Sequence, residues 1–260
     1  MTTISIQRTL EDKTFEEVAI ERLRLWQPRE GCGSSWKLKP YRLAFSGGKD
    51  SIVIKHLADR AGVIYEAHFS QTTIDPPEVV KFIREHYPDV KWDRPRRTMF
   101  KIIEEKGALP TRMMRFCCKE LKEVGGKGDV VITGIRWEES PKRRARFPFE
   151  ESTIKKGMFF VNPIIEWSTQ DIWDYIRRYR LPYCSLYDEG YKRIGCIMCP
   201  LQGEEGMRWD ANRYPAIYRR YLKAIRRTLD SKHHAYWEGR TAEEIMEWWI
   251  TGKWSTKRTT

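Results

Sequence analysis

The chain has 260 residues, 40% of them hydrophobic, so it is long enough to bury a full core and too apolar to be a disordered polyelectrolyte. No apolar run approaches the roughly 20 residues that cross a bilayer, and the start MTTISIQRTLEDKTFEEV is acidic and lacks a signal-peptide core; a soluble, cytoplasmic protein without membrane contact is expected. The formal charge of +12, from 48 Lys+Arg against 36 Asp+Glu, favours polyanionic partners: nucleotides, nucleic acid or an acidic protein.

In chain order, residues 8–27 place Phe15, Val18, Ala19, Leu23 and Trp26 at helical spacing. PREGCGSSWKLKP follows and reads as a loop. Residues 41–45 (YRLAF) fit a strand, SGGKDS comes at once, and Ile52, Ile54, Leu57, Ala58 and Ala61 carry helix spacing. Residues 62–69 predict a second strand, TTIDPP a loop, 78–86 a helix ended by Tyr87-Pro88, and 90–92 a short strand. A helix over 98–106 and a strand over 129–134 come next, then a helix that Ser168 or Thr169 can cap, with Ile172, Tyr175 and Ile176 on its buried face. From about residue 204 the chain is helical, basic and aromatic with no strand signal. The expected fold is therefore α/β, a parallel twisted sheet with helices on both faces plus a helical C-terminal appendage. The expected domains are 1–39 (helix and loop), 40–203 (sheet domain) and 204–260 (helical region).

Ser46-Gly47-Gly48-Lys49-Asp50-Ser51 lies between a strand and a helix, where glycines let phosphate oxygens approach outward-pointing backbone N–H groups. Ser46 and Ser51 can donate hydroxyls and Lys49 adds positive charge. Asp50 would repel phosphate, so it caps the helix or helps hold Mg²⁺. The spacing is not the Walker pattern. The segment resembles the SGGxDS signature of the PP-loop adenine nucleotide α-hydrolase superfamily, which implies a Rossmann-like fold and an adenine nucleotide ligand.

Six cysteines are present. Cys117 and Cys118 are adjacent, and Cys196-Ile197-Met198-Cys199 is a CxxC; four thiolates in two pairs suit either a tetrahedral zinc or an iron–sulfur cluster. Adjacent cysteines rarely converge on one small ion, and a larger cluster accepts them more easily. Cys184, after Pro182, reads as a packed thiol.

A Cys-Cys pair followed much later by CxxC resembles the adenylylsulfate and phosphoadenylylsulfate (APS/PAPS) reductase family, in which that pattern holds a 4Fe–4S cluster beside the nucleotide's sulfate. The segment RFCCKELK (residues 115–122) resembles the family's CC-x-x-x-K, which implies that Lys122 sits between cluster and substrate. Thr133-Gly134-Ile135-Arg136 with Glu139-Ser140 resembles TGxRxxxS, which implies contacts from Gly134 and Arg136 to the anionic end of the substrate. LYDEGY (186–191) before Ile194-Gly195-Cys196 resembles the family's approach to the CxxC. Arg136, Arg143, Arg144 and Arg146 follow a strand end, where an open parallel sheet places its ligands, and their planar forks match sulfate or phosphate. A solvated basic loop is the plain alternative for the last three. Thr72, Thr73 and Asp75 occupy the loop where the family has an acidic motif near the adenosine, although TTIDPPE departs from that form.

The family's nucleophile is a cysteine in a C-terminal ECGLH-like motif. No cysteine follows Cys199 here, so the standard thioredoxin-linked route has no counterpart. Cys32, in EGCGSS shortly before the phosphate loop, is the candidate for a relocated nucleophile, against the reading of an ordinary surface thiol. Three functions follow. One is a reductase acting on APS or PAPS with a thiol or electron donor protein. Another is an ATP-dependent sulfurtransferase, using Mg²⁺ with ATP, that modifies tRNA or DNA. The last is a non-catalytic nucleotide and redox sensor. The sequence leaves a homo-oligomer open.

Overall fold

In the computed structural model, residues 12–31, 36–122, 128–231, 234 and 237–254 are described. They group into two compact units. Among the described residues no helix is long and apolar enough to cross a membrane.

The first unit gathers Met1–Phe69, Glu78–Trp92 and Gly125–Ile194. Helix α1 (Phe15–Leu25) starts at a capping box: Thr14 accepts from the Glu17 amide while the Glu17 carboxylate receives the Thr14 N–H. Strands β1 (Arg29–Glu30) and β2 (Lys37–Leu38) pair antiparallel inside the segment read as loop. Both are exposed throughout, so no apolar alternation marks them in the sequence.

Strand β3 (Tyr41–Ala44) leads into α2 (Lys49–Ala61). Next come β4 (Tyr65–Ser70), α3 (Pro77–His86) and β5 (Lys91–Asp93). The helices α4 (Met99–Lys106) and α5 (Phe116–Leu121) intervene before β6 (Val130–Ile132), α6 (Pro141–Arg144), β7 (Phe149–Glu151), β8 (Phe159–Val161) and α7 (Thr169–Arg178). The six-stranded sheet runs β5-β4-β3-β6-β8-β7. Leu43 of β3 stands opposite Ala67 of β4 and Ile132 of β6, all parallel and all buried. Edge strand β7 departs from the expected all-parallel sheet: it runs antiparallel to β8, Glu150 opposite Phe160. The link between them, residues 152–158, is shorter than the dozen or so residues a parallel crossover needs. Helix α2 buries Ile52, Val53, Ile54, Leu57 and Ala58 at 0–1% exposure and stops at left-handed Gly62. It packs on α1 and α7, and the latter opens at the Ser168–Asp171 capping box.

The second unit comprises Ser70–Pro77, Asp93–Val124 and Gly195–Thr260. Helices α4 and α5 join α8 (Gly203–Arg213), α9 (Pro215–Asp230) and α10 (Ala242–Thr251) around their own core. Ile74, Ile103 and Leu109 from mid-chain pack there with Met198, Tyr221, Ile225, Ile245 and Trp249. This grouping differs from the sequential division at 39/40 and 203/204, because side chains distant in sequence complete one core and composition does not reveal which.

Candidate functional site

In the first unit, the phosphate loop is formed where β3 ends and α2 begins. Gly47 has φ +71°, and a Cβ there would meet Ile83 and Val79 of α3 at 3.0 Å, so both backbone and packing demand glycine. Gly48 is the N-cap and offers no side-chain bond to the helix start, which leaves the first-turn N–H groups to other partners. Ser46 Oγ lies 3.4 Å from the Gly48 N–H and 3.3 Å from Ser51 Oγ, and Ser51 Oγ donates to the Gly48 carbonyl at 2.7 Å. The hydroxyls therefore brace the loop from inside. Lys49 N–H donates to Tyr187 Oη at 2.9 Å.

Charge at the loop is set by an ion network. Lys49 is buried and its Nζ is 3.1 Å from Asp50 Oδ2. Arg136, 2% exposed, donates from Nε to Asp50 Oδ1 at 2.7 Å, from one terminal nitrogen to Glu138 (2.8 Å) and the Trp167 carbonyl (3.1 Å), and from the other to Thr169 Oγ1 (3.3 Å). These carboxylates hold its guanidinium further into the charged form against the opposing effect of burial. Asp50, expected to cap the helix or hold Mg²⁺, is instead the counter-ion of Arg136 and Lys49. Gly134 lets the end of β6 approach this point: a Cβ on it would lie 3.0 Å from Asp50 Cβ and 3.2 Å from the Asp50 carbonyl carbon. Arg143, on α6, pairs with Glu139, and Arg146 with Glu150. Arg144 is exposed and has no ion-pair partner among the described residues. Of the predicted arginines, Arg144 alone has its fork free for a ligand; Arg136 is a brace.

In the second unit, Cys117 and Cys118 sit in the first turn of α5 and Cys196 and Cys199 in the loop before α8, all half-buried and in thiol form. Cys117 donates to Cys118, and Arg115 lies 3.6 Å from Cys118 Sγ; with Lys122 nearby these hold the Cys118 thiol below its ordinary value and push Cys117 up. Burial raises Cys199. The Cys196 sulfur, ahead of Cys118 and Asp75, raises the Lys122 ammonium against the opposing effect of burial. Cys196 Sγ also contacts Thr72 Oγ1 at 3.4 Å.

The CxxC turn is built by Met198, a buried residue at φ +56°, whose N–H donates to buried Asp210 at 2.7 Å. Gln202 bonds the Cys196 carbonyl (3.1 Å) and Asp210 (2.9 Å). Thr72, expected near the nucleotide, donates to Asp75 from both N–H and Oγ1 at 2.7 Å. Thr73 accepts the Met99 N–H at the start of α4. Both hydroxyls serve this unit's own loops. Cys32 lies outside the described residues. Cys184 is buried as expected, but in the first unit's core rather than among the four cysteines.

No set of three His, Cys, Asp or Glu among the described residues is arranged to hold a single metal ion. The four thiols have charges that act on one another and are flanked by Arg115 and Lys122, a donor set compatible in chemistry with an iron–sulfur group. The fully buried Tyr221 hydroxyl adds to this, since it has no hydrogen-bond partner and feels Cys196, Cys117 and Cys199. A group bearing sulfur acceptors would satisfy it. Sequence reasoning missed Tyr187, Asp210 and Tyr221 as site residues. Tyr187 stood inside the quoted LYDEGY, whereas nothing in the sequence marks the other two.

The phosphoadenosine phosphosulfate reductase domain model matches residues 40–202. An uncharacterised protein of Methanocaldococcus jannaschii is 30% identical over 223 residues, 81% of this chain and 46% of that one. A second from the same organism is 29% identical over 196 residues, 71% of this chain and 47% of that one, so the chain spans about half the length of these two relatives. The adenosine 5'-phosphosulfate reductase of Halalkalibacterium halodurans is 30% identical over 190 residues, 66% of this chain and 80% of that one. Among solved structures, the Candida auris phosphoadenylyl-sulfate reductase in its phosphate complex is similar at 19% identity and a TM-score of 0.49, over 74% of this chain and 98% of that one. The chain belongs to the phosphoadenosine phosphosulfate reductase domain family.

Proposed function

We propose that this family member is a cytoplasmic sulfonucleotide reductase that binds APS or PAPS on the SGGKDS loop. The observation that carries this reading is the start of α2 at Gly48, which has no side-chain cap of its own and lies within the segment matched by the family model; first-turn N–H groups and the helix dipole there favour an anion. The reaction delivers two electrons to the sulfate sulfur and breaks its bond to the nucleotide phosphate oxygen. Sulfite leaves together with the desulfated nucleotide, AMP from APS or adenosine 3',5'-bisphosphate from PAPS. The electrons come from a thiol or electron donor protein. Cys117, Cys118, Cys196 and Cys199 would hold a 4Fe–4S cluster, which supplies a redox-active iron centre when bound. This chain's own residues hold the Cys118 thiol below its ordinary value through Cys117, Arg115 and Lys122, shape the CxxC turn through Asp210, and fix the loop through Arg136 and Asp50. Arg144 has its fork free to meet the ligand's anionic end. Cys32 is the candidate attacking thiol, and undiminished turnover in Cys32→Ser would exclude it.

A second reading, ATP-dependent sulfur transfer to tRNA or DNA, rests on α9, which exposes Arg219, Arg220, Lys223, Arg226 and Arg227 along its length. There Mg²⁺ would enter with ATP, and pyrophosphate would leave. Thermal unfolding of anaerobically purified protein separates the two. APS or PAPS at about 100 times its Kd should stabilise by about 2.7 kcal/mol. Stabilisation by ATP–Mg²⁺ alone, with pyrophosphate released only when RNA or DNA is added, would replace the reductase reading by the transferase.

A further inference from the structure

The Lys49 N–H at the start of α2 points at a side chain from well downstream in the same unit. Tyr187 Oη accepts it at 2.9 Å, and Lys49 Nζ lies 5.9 Å from the centre of the same ring. The hydroxyl rests against the loop at Gly48, where an added Cβ would stand 3.4 Å from it. The ring is held rigidly. Trp173 of α7 meets it edge-on at 5.0 Å, Tyr183 at 6.4 Å, and the preceding residue, Leu186, is fully buried. The Tyr187 N–H closes a turn onto the Cys184 carbonyl at 3.1 Å.

A phenol that accepts from an amide still has one proton to give. Among the described residues none accepts it. Burial pushes the phenol's pKa up, so the proton stays on the oxygen at physiological pH. A neutral donor, fixed by a backbone N–H at the start of α2 and adjacent to Gly48, is suited to an anion oxygen.

We propose that Tyr187 is an anion-binding residue of the SGGKDS loop: while its oxygen holds the Lys49 N–H, its O–H donates to an oxygen of the phosphate seated on the loop. The inference rests on the loop's phosphate-binding role and is independent of whether the nucleotide is a sulfonucleotide or ATP, since both present a 5'-phosphate. AMP is therefore the probe, with adenosine as the phosphate-free reference, titrated calorimetrically into the full chain. Tyr187→Phe removes one oxygen and keeps the ring in its aromatic setting. It should weaken AMP roughly 10- to 100-fold, as loss of a hydrogen bond to a charged group does, and leave adenosine unchanged. The ratio of the two affinities is read within one preparation, so a partly unfolded variant does not imitate the effect. An unchanged ratio would overturn the proposal. So would tighter AMP binding, which would make Tyr187 a plug that competes with phosphate for the amide. Failure of the unsubstituted protein to prefer AMP over adenosine would overturn the loop's phosphate role itself, and this proposal with it.

Discussion

Each nitrogen of the Arg136 guanidinium is engaged inside the protein, on Asp50, Glu138, the Trp167 carbonyl and Thr169. Four of its five N–H donors are committed inside the protein, and through Asp50 the fork braces the first turn of α2. It is a positioning residue. Arg136→Lys keeps the charge but not the planar fork, and a lysine can satisfy only part of this set. Removing one partner of a buried pair typically costs about 3–5 kcal/mol; Asp50 is 22% exposed, so Arg136→Ala should fall near the lower end, with Arg136→Lys restoring less than half. Urea unfolding of the three proteins checks this. Recovery of full stability in Arg136→Lys would mean that charge alone matters. Gly47 makes a parallel case at the same scale: its positive φ and its 3.0 Å neighbours leave no room for any side chain.

At the scale of elements, the CxxC loop depends on α8. Asp210, near the end of that helix, receives the Met198 N–H and the Gln202 amide. Met198 sits in the left-handed region without being glycine, a conformation that local sequence does not favour and that these bonds over-determine. Gly206 makes room for Gln202, for a Cβ there would come within 2.7 Å of the Gln202 side chain. Asp210→Ala strands one buried donor, the Met198 N–H, at about 1–3 kcal/mol, and releases the exposed Gln202 amide. The expected outcome is a lower melting temperature and, after anaerobic iron reconstitution, a lower iron content than the unsubstituted protein. Retention of full iron with a normal melting temperature would show that the turn is stable without α8.

Across the whole molecule, charge sets the reach of binding. The net +12 attracts polyanions in general, and log affinity for them should fall linearly with log salt. Titrating a fluorescent single-stranded oligonucleotide at 50 and 200 mM salt measures the slope. A steep slope that flattens in a Lys223→Glu, Arg226→Glu variant would assign the contact to α9. A slope equal in both proteins would spread it over the surface. Within each unit the core is built from segments far apart in sequence, as when Ile74 and Trp249 share one core, so a loop such as 70–77 is fixed by helices met only near the end of the chain.

The sequence by itself determined the local features. SGGKDS between an apolar run and a helical one named the phosphate loop, and Ser168 named a cap. These follow from local patterns that a few neighbouring residues impose, whereas Gly62, read as the first residue of the second strand, is the left-handed C-cap of α2. The paired cysteines likewise identified a candidate ligand set from chemistry alone. Only the tertiary structure decided what each polar group does. Arg136 read as a substrate ligand became a brace, because a carboxylate 86 positions away in sequence lies within 2.7 Å of it. Thr73, read with Thr72 as a nucleotide contact, accepts the Met99 N–H 26 positions away, while Thr72 bonds Asp75 within its own turn. Strands β1, β2 and β7 were illegible because they are short and carry no buried face. Tyr187, an aromatic among other aromatics in the sequence, became a candidate ligand once the fold set its hydroxyl against an amide 138 positions earlier. Hydrogen-bond partners at such separations depend on where the sheet and its crossovers carry the chain, and no local pattern encodes them.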